Sequence, residues 1–125
     1  MLKRTISLSL KTLSLASLLL AAEQATAQSG HVLTQVDSVL VTADEQYGGC
    51  MALLSVGPQG VLPSCGWGWV TFSCSGEYAD RVRAYRMLDQ AQLANTTGYW
   101  AYVEFQDDKT HDGYCFATRI DVYGG

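Results

Sequence analysis

The chain has 125 residues, a formal net charge of −4 and 48% hydrophobic side chains, which is typical of one small folded domain. It carries 8 Lys and Arg against 12 Asp and Glu. An acidic surface disfavours nucleic acids and anionic membranes, because both reward clustered positive charge. We therefore expect no nucleic-acid partner.

An export signal is predicted at the amino terminus. Lys and Arg side chains precede an apolar run of 11 residues at 12–22, which is too short to cross a hydrocarbon core of about 30 Å. Ala-Thr-Ala at 25–27 has the small residues of a cleavage site. We therefore predict a signal peptide over 1–27 and a single mature domain over 28–125. This domain would be periplasmic or secreted, without membrane insertion after cleavage.

All four cysteines fall in the predicted mature domain, at Cys50, Cys65, Cys74 and Cys115. An even number of cysteines in a small exported domain indicates two disulfides. Their spacing lacks the close Cys-x-x-Cys pairs of zinc sites. We expect disulfides, no metal and no cofactor.

Five strands and one helix are predicted from the hydrophobic pattern. In chain order they are a long bent strand over 31–43, strands over 50–56 and 67–74, a helix over about 77–95, and strands over 99–105 and 114–123. The alternation of the first strand slips between Val36 and Val39, which indicates that this strand is bent. The polar segment 106–113 is predicted to be a hairpin loop.

The helix is predicted from an apolar stripe at helical spacing. Ser75 is a candidate amino-terminal cap and Gly98 a candidate left-handed stop. The stripe consists of Ala84, Met87, Leu88, Ala91 and Ala94, widened by Tyr78, Val82 and Tyr85.

The fold class predicted is α+β and mainly β. A helix between the third and fourth of five strands is the element order of a small Greek-key barrel, the OB-fold. An open antiparallel sheet with one packed helix is the alternative.

The barrel topology makes a statement about the disulfides. Cys50 starts the second strand and Cys74 ends the third, and these strands form a hairpin, so the two cysteines meet. Cys65 and Cys115 lie at the starts of the third and fifth strands, which run parallel in such a barrel. The topology therefore predicts Cys50–Cys74 and Cys65–Cys115, whereas pairing in sequence order would join opposite strand ends beyond disulfide reach.

The arrangement resembles the OB-fold cell-binding subunits of subtilase cytotoxin and of pertussis-like toxins. The resemblance rests on Cys50 opening one short strand, Cys74 closing the next, the helix from Glu77, and Thr97-Gly98 leading into the strand 99–103. It implies an exported, ring-forming, glycan-binding domain. The segment 107–116 is similar to small uncharacterised exported proteins of Gram-negative bacteria, which implies no function.

Four aromatic residues are candidate ligand-binding residues, namely Trp67, Trp69, Trp100 and Tyr102. Exposed Trp and Tyr provide stacking surfaces for sugar rings and are favoured at protein interfaces. The alternative is that each fills the core or a subunit contact, which is the commoner fate of Trp. Trp67 is the best candidate for exposure because it lies between two glycines.

Other chemistry has less support in the sequence. The loop residues Asp107, Asp108 and Asp112 could offer oxygen ligands, but they lack the spacing of a Ca²⁺ loop. A catalytic role of His111 with Asp112 or Asp108 would need a nucleophile or a second acid–base group beside it. Ser73 and Ser75 lack a nucleophile-elbow motif.

We therefore predict a non-catalytic binding module for a glycan or protein surface, with a homo-oligomer possible. The alternatives are an inhibitor or envelope accessory protein acting through one protein partner, or a small hydrolase that uses His111.

Overall fold

A computed structural model describes residues 26–124. Nearly all of the predicted signal peptide lies outside the described residues. The described part is mainly β, with six strands and one α-helix. The bounds are β1 Ser29–Thr34, β2 Val36–Val41, β3 Cys50–Leu54, β4 Trp69–Thr71, α1 Arg81–Thr97, β5 Trp100–His111 and β6 Tyr114–Tyr123. Between residues 26 and 124, the helix lacks the length and apolar character needed to cross a membrane.

The six strands form one mixed sheet in the order β1-β5-β6-β4-β3-β2. All neighbouring pairs are antiparallel except β4 and β6, which run parallel. The fully antiparallel alternative is therefore wrong for this pair. The two end strands, β1 and β2, are consecutive in the chain and are separated only by Gln35.

The predicted long first strand is two strands. β1 pairs with β5 and β2 pairs with β3, so the chain changes neighbours at Gln35. The ladder of β2 is irregular between Val36 and Ser38. This irregularity lies where the sequence alternation slips.

The predicted third strand is too long. Only Trp69–Thr71 pairs with β3. Gly68 before it and Ser73 after it adopt left-handed φ angles of 77° and 58°. This conformation interrupts a strand, and it is uncommon for a residue with a side chain such as Ser73.

The predicted hairpin loop over 106–113 is also wrong. β5 continues to His111, and the turn is only Asp112-Gly113, with φ angles of 52° and 84°. Asp-Gly with two positive φ angles is the preferred two-residue hairpin turn. Gln106 pairs with Phe116 but Thr110 pairs with the adjacent Cys115. The intervening residues 107–109 therefore bulge out of the ladder.

The helix starts later than predicted. The Asp80 side chain, rather than Ser75, accepts a hydrogen bond from the Arg83 backbone N–H at 3.0 Å. Gly98 ends the helix in the left-handed conformation, as predicted. Val82 and Tyr85 do not widen the buried stripe, because both are exposed.

The core lies between the helix and the inner face of the sheet. Small helix residues allow α1 to approach β2 and β6 closely. The cluster combines the helix residues Ala84, Leu88, Ala91 and Ala94 with the strand residues Val32, Val70, Val103 and Phe105 and with Phe72, which follows β4.

Two disulfides lie within this core. They join Cys50 to Cys74 and Cys65 to Cys115, with Cα–Cα distances of 5.6 Å and 5.2 Å. This is the pairing that the barrel topology predicts.

Candidate functional site: an aromatic cleft and a half-buried histidine

An open cleft with a volume of about 160 Å³ lies on the outer face of β2, β3 and β4. We call it the aromatic cleft. It is lined by Leu40, Tyr47, Met51, Trp69 and Tyr114. Three of its five lining residues are aromatic, and they come from three separate segments of the chain.

The register of the strands explains why these side chains meet. Met51 pairs with Leu40 of β2 and with Thr71 of β4. Paired residues lie on the same face of a sheet, and so do residues two positions apart in one strand, such as Thr71 and Trp69. The next residue of β4, Val70, belongs to the core. The outer face of these strands therefore presents Leu40, Met51 and Trp69 together.

Tyr47 closes one end of the cleft from a short 3-10 turn, Gln46–Gly48. Its backbone is left-handed, with φ 56°. Its N–H donates to Asp112 Oδ2 at 3.0 Å, and its carbonyl accepts from Thr71 Oγ1 at 2.8 Å. An uncommon backbone conformation held by two specific hydrogen bonds is characteristic of functional positions.

Tyr114 forms the facing wall. Its ring meets the Tyr47 ring edge to face, with centroids 5.8 Å apart. Gly66 packs against it, since a Cβ at this position would lie 2.6 Å from Tyr114 Cδ1. The Asp112-Gly113 turn and the Gln46–Gly48 turn thus hold the two tyrosines in contact.

His111 lies in the same hairpin, in a second cluster of polar groups. Its Nε2 is 2.9 Å from Ser73 Oγ, and its Nδ1 is 3.5 Å from Glu77 Oε2. The Tyr78 ring packs on the imidazole at 4.6 Å, and the Tyr78 hydroxyl donates to the Thr110 carbonyl at 2.9 Å. This cluster ties the β5–β6 hairpin to the segment that leads into α1.

Serine, imidazole and carboxylate follow one another here in the order of a hydrolytic triad. Ser73, however, has 0% exposure, and its Oγ also accepts the Tyr78 backbone N–H at 3.0 Å. A serine nucleophile must meet its substrate. In this arrangement the three groups connect the β5–β6 hairpin to the segment 73–78.

Sequence reasoning considered Asp108 and Asp112 as partners of His111, but the structure places Ser73 and Glu77 there. Asp112 holds Tyr47 instead. No local motif could have revealed Ser73 and Glu77, because the contact depends on the left-handed turn at Ser73. Partial burial, reinforced by the nearby carboxylate of Glu77, raises the pKa of Tyr78.

The four predicted ligand-binding residues do not form one site. Only Trp69 lines the aromatic cleft. Trp67 is 73% exposed but is not among the cleft residues. Sequence reasoning missed Tyr47 and Tyr114, since neither lies in a strand pattern that marks an outer face.

Trp100 and Tyr102 lie together on β5, in another part of the sheet. Trp100 is 49% exposed. Tyr102 stacks on His31 at 5.2 Å, and Arg119 lies 5.3 Å from its ring centre. Its hydroxyl donates to Glu104 Oε1 at 2.8 Å, and this bond is the main reason that the pKa of Tyr102 is raised.

Within residues 26–124, no group of three His, Cys, Asp or Glu side chains is arranged to hold a metal ion. Comparisons with protein-family models, curated proteins and solved structures found no significant match.

Proposed function

We propose that the protein is an exported, non-catalytic binding module that recognises a glycan or a protein surface through the aromatic cleft. The observation that carries the proposal is that Trp69 lines one cleft with Met51, Leu40 and two tyrosines that contact each other edge to face. Flat aromatic and aliphatic surfaces in an open depression suit the apolar face of a sugar ring or an aromatic anchor from another protein.

We also propose that the sheet is an OB-like Greek-key barrel. In this view β1 and β2 are the two halves of one bent strand, which closes the sheet by pairing with β5 on one side and β3 on the other. The parallel pairing of β4 with β6 and the two disulfides support the same topology.

The location of the cleft fits this proposal. OB-folds bind oligosaccharides and oligonucleotides on the face of their second and third strands, between the first and fourth loops. The corresponding parts here are β3 and β4, the segment 42–49 that holds Tyr47, and the Asp112-Gly113 turn. The acidic balance of the chain favours a glycan or protein over a nucleic acid.

The size of the cleft narrows the ligand class. Pockets that enclose a drug-sized ligand have volumes of about 300–1,000 Å³, whereas this cleft has about 160 Å³. It therefore suits one ring or one side chain of a larger ligand. Such single-ring contacts are weak, which makes repeated presentation in a homo-oligomer useful. Light scattering tests that oligomer separately.

Tryptophan fluorescence tests the cleft directly, because the chain has three Trp. A protein with Trp67→Phe and Trp100→Phe reports on Trp69 alone. Its matched control, with Trp67→Phe and Trp69→Phe, reports on Trp100 alone. Both are titrated with neutral, amino and acidic oligosaccharides. We expect saturable changes of Trp69 emission and none of Trp100 emission.

Two results would redirect this proposal. A response of Trp100 alone would place the ligand on β5 rather than in the cleft. If neither reporter responds to any sugar but the folded protein retains one stoichiometric protein that Trp69→Ala releases, the ligand is a protein surface. The second outcome supports the alternative of an inhibitor or envelope accessory protein.

Hydrolysis is a second candidate function, favoured by one observation only. Ser73, His111 and Glu77 have the connectivity of a triad. For this function, movement of the segment 73–78 would have to expose Ser73. A fluorophosphonate probe tests it: labelling of Ser73 that His111→Ala abolishes would support a hydrolase, whereas an unlabelled, oxidised, folded protein would contradict it.

A further inference from the structure

The bulge of β5 contacts the backbone of Gln28 through one carboxylate, that of Asp107. The backbone N of Gln28 donates to Asp107 Oδ1 at 2.8 Å, and Ser64 Oγ donates to Asp107 Oδ2 at 3.1 Å. The Asp107 N–H in turn donates to the Gln28 carbonyl at 3.0 Å. Both carboxylate oxygens of Asp107 are therefore occupied, and one of them by the backbone nitrogen of Gln28.

The same nitrogen is the one that signal cleavage would release. The small residues at 25–27 predict cleavage before Gln28. In the described chain, 26–28 is exposed and has no regular structure, and β1 begins at Ser29. An independent sequence pattern and an independent contact thus point to the same peptide bond.

We propose that Asp107 is a docking site for the new amino terminus, whose α-ammonium group forms an ion pair with this carboxylate after removal of 1–27. The proposal rests on export and cleavage and not on the identity of the ligand. Before cleavage the nitrogen is a neutral amide that donates one hydrogen bond. After cleavage it is a cation, and charge-assisted hydrogen bonds are about twice as strong as neutral ones.

The ion pair has a chemical consequence for Gln28. A free amino-terminal Gln can cyclise when its neutral α-amine attacks its own side-chain carboxamide. The new N–Cδ bond forms, the Cδ–Nε2 bond breaks, and ammonia leaves after taking up a proton from the attacking amine. Asp107 holds the amine as an ammonium, which has no free electron pair, so the folded protein should cyclise slowly.

The experiment compares the oxidised chain 28–125 with a free amine, the same chain with an acetylated amine, and the chain extended by Ala27. All elements and both disulfides of the described fold lie within this range. We expect the free amine to raise Tm by about 1–6 °C over both others, the range for an exposed ion pair in a domain this small. Asp107→Asn should abolish the difference.

Mass spectrometry measures the rate at which Gln28 cyclises. A merely structural role of Asp107 would leave this rate unchanged. Asp107→Asn should speed the loss of ammonia from Gln28 several-fold in the folded protein. Ser64→Ala is the matched control, because it removes the other hydrogen bond to Asp107 but leaves the ion pair, so its cyclisation rate should stay near that of the wild type.

Three results would overturn the proposal. One is an equal Tm for the free and acetylated chains, and another is equal cyclisation rates in the wild type and Asp107→Asn. The third is a mature amino terminus, sequenced from the exported protein, that begins at a residue other than Gln28. None of these three results bears on the cleft, so the proposed binding function is tested separately.

Discussion

Gly48 lies next to Tyr47 of the aromatic cleft and packs against the half-buried His111, and Gly48→Ala tests that connection. A Cβ at this position would lie 2.5 Å from His111 Cδ2 and 2.5 Å from Thr71 Oγ1. Neither neighbour is free to move, because His111 contacts partners through both nitrogens and Thr71 holds Tyr47. Overpacking of this kind costs about 1–3 kcal/mol.

Gly98→Ala is the matched control. Both glycines have left-handed backbones, with φ 78° and 71°, but a Cβ at Gly98 meets nothing within 4 Å. The left-handed conformation costs an alanine about 1–2 kcal/mol, and the stiffer unfolded chain offsets about 0.4–1 kcal/mol of that. We therefore expect losses of about 0–1.6 kcal/mol at Gly98 and, with the overpacking added, about 1–4.6 kcal/mol at Gly48.

Urea unfolding of the oxidised proteins measures both free energies of unfolding, provided that the m values agree. Equal losses for Gly48→Ala and Gly98→Ala would refute the packing of His111 described here. Binding adds a second test, since the displaced histidine would disturb Tyr47 and weaken the cleft. Gly98→Ala should leave the cleft unchanged.

Three further predictions concern the scaffold. Replacing Cys65 and Cys115 by Ala removes a disulfide that joins residues 50 positions apart. Loop entropy predicts that the free energy of unfolding, measured in urea, falls by about 4 kcal/mol. A decrease below about 1 kcal/mol would contradict this. Asp80→Ala should cost about 1 kcal/mol and Ser75→Ala much less; the reverse order would contradict the cap assignment. The pKa of Tyr78 is raised above its ordinary value of 10.0, so the neutral phenol contributes stability below pH 10 that is lost as pH rises through its folded pKa. Tyr78→Phe should therefore reduce the alkaline loss of stability, and an unchanged profile would contradict this.

Much of the fold could be predicted because it depends on patterns local to the chain. Alternation located the strands, and the slip near Val36 located the irregularity in β2. The disulfides followed from the order of the elements. The parallel pairing of β4 and β6 also agrees with the barrel topology.

The errors come from residues whose backbone is decided by distant contacts. Residue type alone does not predict the left-handed turn at Ser73, which shortens β4 and brings the hydroxyl to His111. Polar composition predicted a loop over 106–113, but β5 extends to His111, and Thr110 and His111 pair with β6 beyond the bulge. The strand propensity of single residues is a weak guide where pairing with a neighbouring strand decides the backbone conformation.

The candidate site was predictable only in part. Trp69 was a sound candidate because strand alternation places it opposite Val70. Tyr47 comes from a 3-10 turn fixed by Asp112, 65 residues away in the sequence. Trp100 and Tyr102 lie on β5, which β6 separates from the β4 strand of Trp69. Only the order of strands in the sheet decides this separation.

The central claim is that the ligand binds in the aromatic cleft and not on the part of β5 that carries Trp100 and Tyr102. The most direct test is a glycan array probed in parallel with the oxidised mature protein, Trp69→Ala and Trp100→Ala, each shown to be folded. We predict that the wild type and Trp100→Ala retain the same glycans and that Trp69→Ala loses them. Retention by Trp69→Ala together with loss by Trp100→Ala, or a blank array for all three, would contradict glycan binding in the cleft.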